Sequence, residues 1–154
     1  MGPGPSDVSQ RVLEAMARPT IGHLDPAFQT LMDEIKDLLR YAFKTENKLT
    51  FPVSAPGSAG METCFANLVE PGDKVIVCVN GVFGTRMVEN VTRCGGEAIV
   101  VEDDWGKPVS IEKVEAALKE HPEVSVLAFV AAETSTGVAS DAKILCALAR
   151  DYNC

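Results

Sequence analysis

Apolar positions recur along this chain in two rhythms. From Phe28 they return at Leu31, Met32, Ile35, Leu38, Leu39, Ala42 and Phe43. That spacing of three and four predicts an amphipathic helix of about five turns. Asp25 and Pro26 supply its N-cap and first helical position. A shorter helix is expected over residues 10–17, capped by Asp7 or Ser9 and ended by Pro19. Ahead of it, Gly2-Pro3-Gly4-Pro5 predicts a stiff extended lead, because proline fixes φ and lacks a donor. Residues 19–26 read as a loop.

Beyond residue 48 the rhythm changes to alternation. Strands are expected over residues 49–53, 74–79, 97–102 and 124–131. Helices are expected over residues 58–69, 83–94 (closed by Gly95-Gly96), 111–120 (capped by Ser110) and from Ser140 or Asp141 to Tyr152. Trp105 is expected to cover the turn-rich loop 103–108. Four strand–helix alternations with short links imply a mainly parallel sheet flanked by helices, an α/β fold. Residues 1–48 then form an N-terminal arm and long helix, and 49–154 an α/β domain. The rhythm calls for another strand where the chain stops at Cys154. The domain is therefore expected to be incomplete, the N-terminal part of a longer enzyme or one half of a split one.

Composition narrows the partners. The chain has 154 residues, 46% hydrophobic and 23% charged, room for about one domain with a real core. A net charge of −8 without a basic run argues against nucleic acid and anionic lipid as partners. The longest apolar run, residues 126–132, is far short of a membrane span. The N-terminus has no signal-peptide pattern, so a cytoplasmic location is expected. The five cysteines are odd in number and lack Cys-x-x-Cys spacing, so free buried thiols are expected. His23 and His121 are far apart, and no metal site is expected.

In parallel sheets, ligands sit beyond the carboxyl ends of the strands. Three loops fall there. Ser54-Ala55-Pro56-Gly57-Ser58 leads into a helix start, where free N–H groups and the macrodipole favour an anion. Each charge-assisted hydrogen bond to a phosphate is worth about 1.5–3 kcal/mol. The same residues also read as a tight turn with Ser58 as N-cap. In Asn80-Gly81-Val82-Phe83-Gly84-Thr85-Arg86, Phe83 either stacks on a planar ligand or fills the first turn of a core helix. Arg86 reaches a carboxylate ligand or forms a structural ion pair. Glu133-Thr134-Ser135-Thr136-Gly137 offers a carboxylate and three hydroxyls, for a ligand or for turn capping. His23 reads as a solvated loop residue or a catalytic one.

In combination these segments resemble class V aminotransferases. The motifs are Gly2-Pro3-Gly4-Pro5, Met32-Asp33-Glu34-Ile35, Ser58-Ala59-Gly60-Met61-Glu62, Leu68-Val69-Glu70-Pro71-Gly72-Asp73, Asn80-Gly81-Val82-Phe83-Gly84-Thr85-Arg86 and Glu133-Thr134-Ser135-Thr136-Gly137-Val138. The alanine–glyoxylate / serine–pyruvate group is the nearest in pattern. The resemblance covers essentially the whole chain but less than half of a typical member. It implies a type I pyridoxal 5'-phosphate (PLP) fold, seen as the N-terminal part of its large domain. It also implies a transaminase acting on alanine or serine with glyoxylate or pyruvate, working as a homodimer.

The resemblance places Gly57, Ser58 and the Ala59 N–H at the cofactor phosphate, Phe83 on the pyridine ring and Ser135 at its phenolic side. Gly4, Gly22 and His23 match segments lining the substrate pocket. Two positions depart from the family pattern: Pro56 stands where a hydroxyl is usual, and Phe83 where Trp is more frequent. The Schiff-base lysine and the aspartate that pairs with the pyridine nitrogen are expected beyond residue 154. None of the eight lysines matches, so the chain alone is expected to be inactive. A C-terminal peroxisomal address would fall in that missing part. The alternatives are another class V enzyme (a desulfurase, or a phosphoserine or aminoethylphosphonate transaminase) or an inactive stand-alone module.

Overall fold

The computed structural model describes Gly4 and residues 6–154. Gly2, Pro3 and Pro5 of the expected extended lead lie outside the described residues. The chain divides into two units, Met1–Ala55 and Pro56–Cys154.

The first unit holds two helices, α1 (Gln10–Met16) and α2 (Pro26–Phe43). Asp25 caps α2 as expected, accepting from the Ala27 N–H at 2.8 Å. The helix ends at Lys44, which takes the left-handed conformation at φ 52°. Arg40 then secures the following chain, donating to the carbonyls of Asn47 at 3.0 Å and Lys48 at 2.9 Å. Residues 49–53 form no strand, contrary to the alternation. Pro52 removes a ladder donor, and a strand exists only when a neighbour satisfies its backbone. Neither helix has a buried residue.

The second unit runs α3 (Gly57–Leu68), β1 (Lys74–Val79), α4 (Val82–Arg93), β2 (Glu97–Glu102), α5 (Ile111–Glu120), β3 (Val126–Ala128), β4 (Ala132–Glu133), β5 (Val138–Ala139) and α6 (Ala142–Asp151). The parallel sheet has the order β2-β1-β3, with Val75 opposite Ala98 on one side and Val126 on the other. It therefore holds three strands rather than four, and β3 is shorter than the expected 124–131. The expected polar loop 133–137 is the turn of a short antiparallel pair, β4–β5, with only Glu133 drawn into a strand and Gly137 at φ 77°.

The centre of the fold is β1. Its side chains alternate between two faces. Val75, Val77 and Val79 pack with Phe65 and Val69 from the α3 side and with Met87 and Val91 of α4. Ile76 and Cys78 pack on the opposite face with Val114 and Leu118 of α5 and Leu145 of α6. Each such aliphatic side chain contributes roughly 1.5–3 kcal/mol by leaving water. The chain steps from β1 to β2, then back past β1 to β3. Crossovers of one hand therefore place α4 and α5 on opposite faces. Ser110 caps α5 through the Lys113 N–H, and Asp141 caps α6 through the Ile144 N–H at 3.1 Å.

All five cysteines are free, but only Cys78 is buried; Cys64 and Cys146 are exposed on their helices. Burial, with Asp103 nearby, pushes the Cys78 thiol up to about 12. Trp105 is 58% exposed in the loop 103–108. Among the described residues no cluster suits a metal ion, and no helix is long and apolar enough to cross a membrane.

Candidate functional site

Strand β1 lies between β2 and β3, so the switch point of the sheet falls past the ends of β1 and β3. Residues 80–84 follow β1, and the β4–β5 pair follows β3. The two segments are joined by hydrogen bonds. The N–H groups of Phe83 and Gly84, in the first turn of α4, donate to Glu133 Oε2 at 3.1 and 3.3 Å. The Val82 N–H donates to Ser135 Oγ at 3.0 Å. Ser135 in turn donates to Glu133 Oε1, from its N–H at 3.2 Å and its hydroxyl at 2.6 Å. A helix start leaves N–H groups unpaired and carries a positive partial charge, which is why a carboxylate is stable there.

Close approach makes this possible. A Cβ on Gly81 would fall 2.7 Å from Ser135 Oγ and closer still to the Glu133 side chain. A Cβ on Gly84 would sit 2.8 Å from the Cys78 carbonyl, where α4 rests on β1. Buried Asn80 holds the neighbouring loop, donating to the Lys107 carbonyl at 2.9 Å. Of the two uses open to the Glu133–Gly137 loop, capping inside the protein takes the carboxylate; Ser135 Oγ gives its proton to Glu133 and accepts from the Val82 N–H, which leaves it one lone pair for a further donor.

The start of α3 is different. Pro56 is its N-cap, so Ser58 lies inside the first turn and is not the cap. The Ala59 N–H is spent on the Pro56 carbonyl at 2.9 Å. The N–H groups of Gly57 and Ser58 have no acceptor among the described residues, and the space beside Gly57 is open. Arg86 donates to Ser58 Oγ at 2.6 Å. Its guanidinium carbon lies 5.0 Å from the centroid of the Phe83 ring, in cation–π range. The expected ion pair of Arg86 does not form among the described residues. A hydroxyl and an aromatic face take its place.

Ser58, Phe83 and Ser135 are therefore linked, the first two through Arg86 and the last two through Glu133. Sequence reasoning assigned neither linker. The spacing of Arg86 three residues after Phe83, neighbours on a helix surface, was the available signal for the first. Nothing local announced the second. Gly4, Gly22 and His23 lie in the first unit, exposed.

Two N–H groups without an acceptor among the described residues begin a 12-residue helix, beside a half-buried guanidinium that has no carboxylate partner among those residues. That set suits a multiply charged anion. Phe83 adds a flat, half-buried apolar face next to it.

No family model matches the chain. It is 40% identical over 156 residues to an alanine–glyoxylate aminotransferase of Drosophila melanogaster, covering 100% of this chain and 39% of the relative. It is 36% identical over 137 residues to a (S)-ureidoglycine–glyoxylate transaminase of Bacillus subtilis (strain 168), covering 89% of this chain and 33% of the relative. The crystal structure of alanine–glyoxylate aminotransferase from Nostoc sp. matches with a TM-score of 0.93 at 46% identity, over 99% of this chain and 40% of that one. The fold is the α/β fold of the PLP-dependent aminotransferases, and the chain is a relative of those transferases. Among them it is similar along its whole length to the alanine–glyoxylate enzymes, and it spans about two fifths of their length.

Proposed function

We propose that this chain is the part of a class V, PLP-dependent aminotransferase that holds the cofactor's phosphate and one face of its ring. The observation that carries the reading is the pair of free N–H groups at Gly57 and Ser58, with Arg86 fixed beside them on Ser58 Oγ. This donor set fits a phosphate ester: two backbone donors, a hydroxyl and a neighbouring cation. Phe83 would bear on the pyridine ring, and Ser135 would stand at its phenolic side. When bound, PLP supplies the electron sink that lets an amino acid release its Cα proton. The residues of this chain bind and orient; they move no proton. Gly57 and Ser58 anchor the phosphate end, and Phe83 limits tilting of the ring.

Glyoxylate is the acceptor common to the names of the two relatives described above, which supports it as an acceptor here. Alanine or serine as donor, and pyruvate as the other acceptor, rest on the motif resemblance. A homodimer is part of the reading. Leu24 at 74%, Phe43 at 77% and Tyr41 at 85% exposure give the first unit apolar surface that a second copy would cover.

The test is direct. The full-length protein carrying this chain should purify with, or take up, PLP and exchange amino groups between alanine and glyoxylate. PLP uptake without that exchange would reject the substrates; no PLP uptake would reject the reading as a whole.

A further inference from the structure

The carboxylate of Glu133 belongs to neither the anion site nor the parallel sheet, yet the residue is 0% exposed. It takes four hydrogen bonds, and each oxygen serves a different element. Oε2 holds the N–H groups of Phe83 and Gly84, while Oε1 holds the N–H and hydroxyl of Ser135. Its neighbour Gly81 lacks the side chain that would occupy the same space.

We infer that Glu133 is a positioning residue: one buried carboxylate sets the Phe83 ring and the Ser135 hydroxyl relative to each other. The inference rests on the reading of Phe83 and Ser135 as cofactor contacts. The physical case is that a carboxylate has two oxygens and no hydrogen, and here all four incoming groups are donors. An amide of the same shape keeps one acceptor and turns an NH2 group toward donors. Glu133→Gln therefore preserves volume while leaving donors of one element unpaired. The residue does not reach the anion site, whose donors sit on α3 and Arg86. Its effect would run through the ring face and not through the phosphate.

The experiment compares the wild-type full-length protein with Glu133→Gln and with Val114→Ala. Val114→Ala is a control that opens the core on the opposite face of the sheet. Three quantities are read: amide hydrogen exchange at Phe83 and Gly84, PLP affinity by equilibrium dialysis, and the induced circular dichroism of bound PLP. Glu133→Gln should speed exchange at those two amides relative to the rest of α4. It should also weaken PLP about tenfold, the equivalent of roughly 1.4 kcal/mol, and change the induced dichroic band. Val114→Ala should lower the melting temperature and leave the band unchanged. A Glu133→Gln protein with wild-type affinity and dichroism overturns the assignment. So does a Val114→Ala protein that loses both to the same degree, since Glu133 would then act only through stability. A wild-type protein that binds no PLP overturns the functional reading beneath the inference, a different result from binding that Glu133→Gln leaves untouched.

Discussion

Arg86 donates to the hydroxyl of Ser58 across 2.6 Å, tying the second turn of α4 to the first turn of α3. The same guanidinium lies over the Phe83 ring. One cation thus couples the candidate anion site to the candidate ring platform, in a chain whose net charge is −8.

Arg86 should therefore matter through shape as well as charge. Arg86→Ala is expected to weaken PLP by tenfold or more, on the order of 1.5–3 kcal/mol for a charge-assisted contact. Arg86→Lys should restore only part of it, because an ammonium lacks the planar fork and stacks poorly on an aromatic ring. Equilibrium dialysis of both variants checks this. Full rescue by lysine would leave only the charge.

At Gly57, stability and binding should part company. The space beside it is open, so Gly57→Asp meets no steric barrier, and a carboxylate in the first turn favours the helix by roughly 0.3–1 kcal/mol. The same charge repels a phosphate. Melting should hold or rise while PLP retention falls. Retention at the wild-type level would remove this helix start from the site.

Gly81 should behave in the opposite way. Its backbone is extended and unstrained, at φ 172°, so the cost of a side chain comes only from the Glu133 and Ser135 atoms it would strike. Gly81→Ala should destabilise the protein by about 1–3 kcal/mol, the usual range for overpacking. Denaturant unfolding beside Gly57→Ala, which meets no neighbour, separates the two glycines.

Cys78 provides a pH test. Burial holds its thiol near 12 in the folded chain against an ordinary value of 9.0. Above pH 9 the unfolded chain gives up this proton while the folded chain keeps it, so stability falls as pH rises from about 9 toward 12. The stability advantage of wild type over Cys78→Ala should shrink across that window. At neutral pH, thiol reagents should label Cys64 and Cys146, which are exposed, before Cys78.

The core tests the fold apart from the site. Leu118 is 2% exposed, within the cluster on the α5 and α6 side. Leu118→Ala should cost about 2–5 kcal/mol. It should leave PLP affinity unchanged at temperatures well below melting, as judged by paired unfolding and dialysis measurements.

What the sequence determined by itself was local. The stripe from Phe28 to Phe43, the Asp25-Pro26 start and the run Lys-Val-Ile-Val-Cys-Val at β1 each carry their own periodicity or cap, and periodicity needs no partner to be read. Tertiary structure decided whatever depends on a second segment. Residues 49–53 alternate like a strand but pair with no strand among the described residues. Arg86 bonds to Ser58, 28 residues earlier, and Glu133 to Phe83, 50 residues earlier. No spacing rule reaches so far. A buried carboxylate is stable only where several donors converge, and the folded chain brings those donors together by ending β1 and β3 side by side.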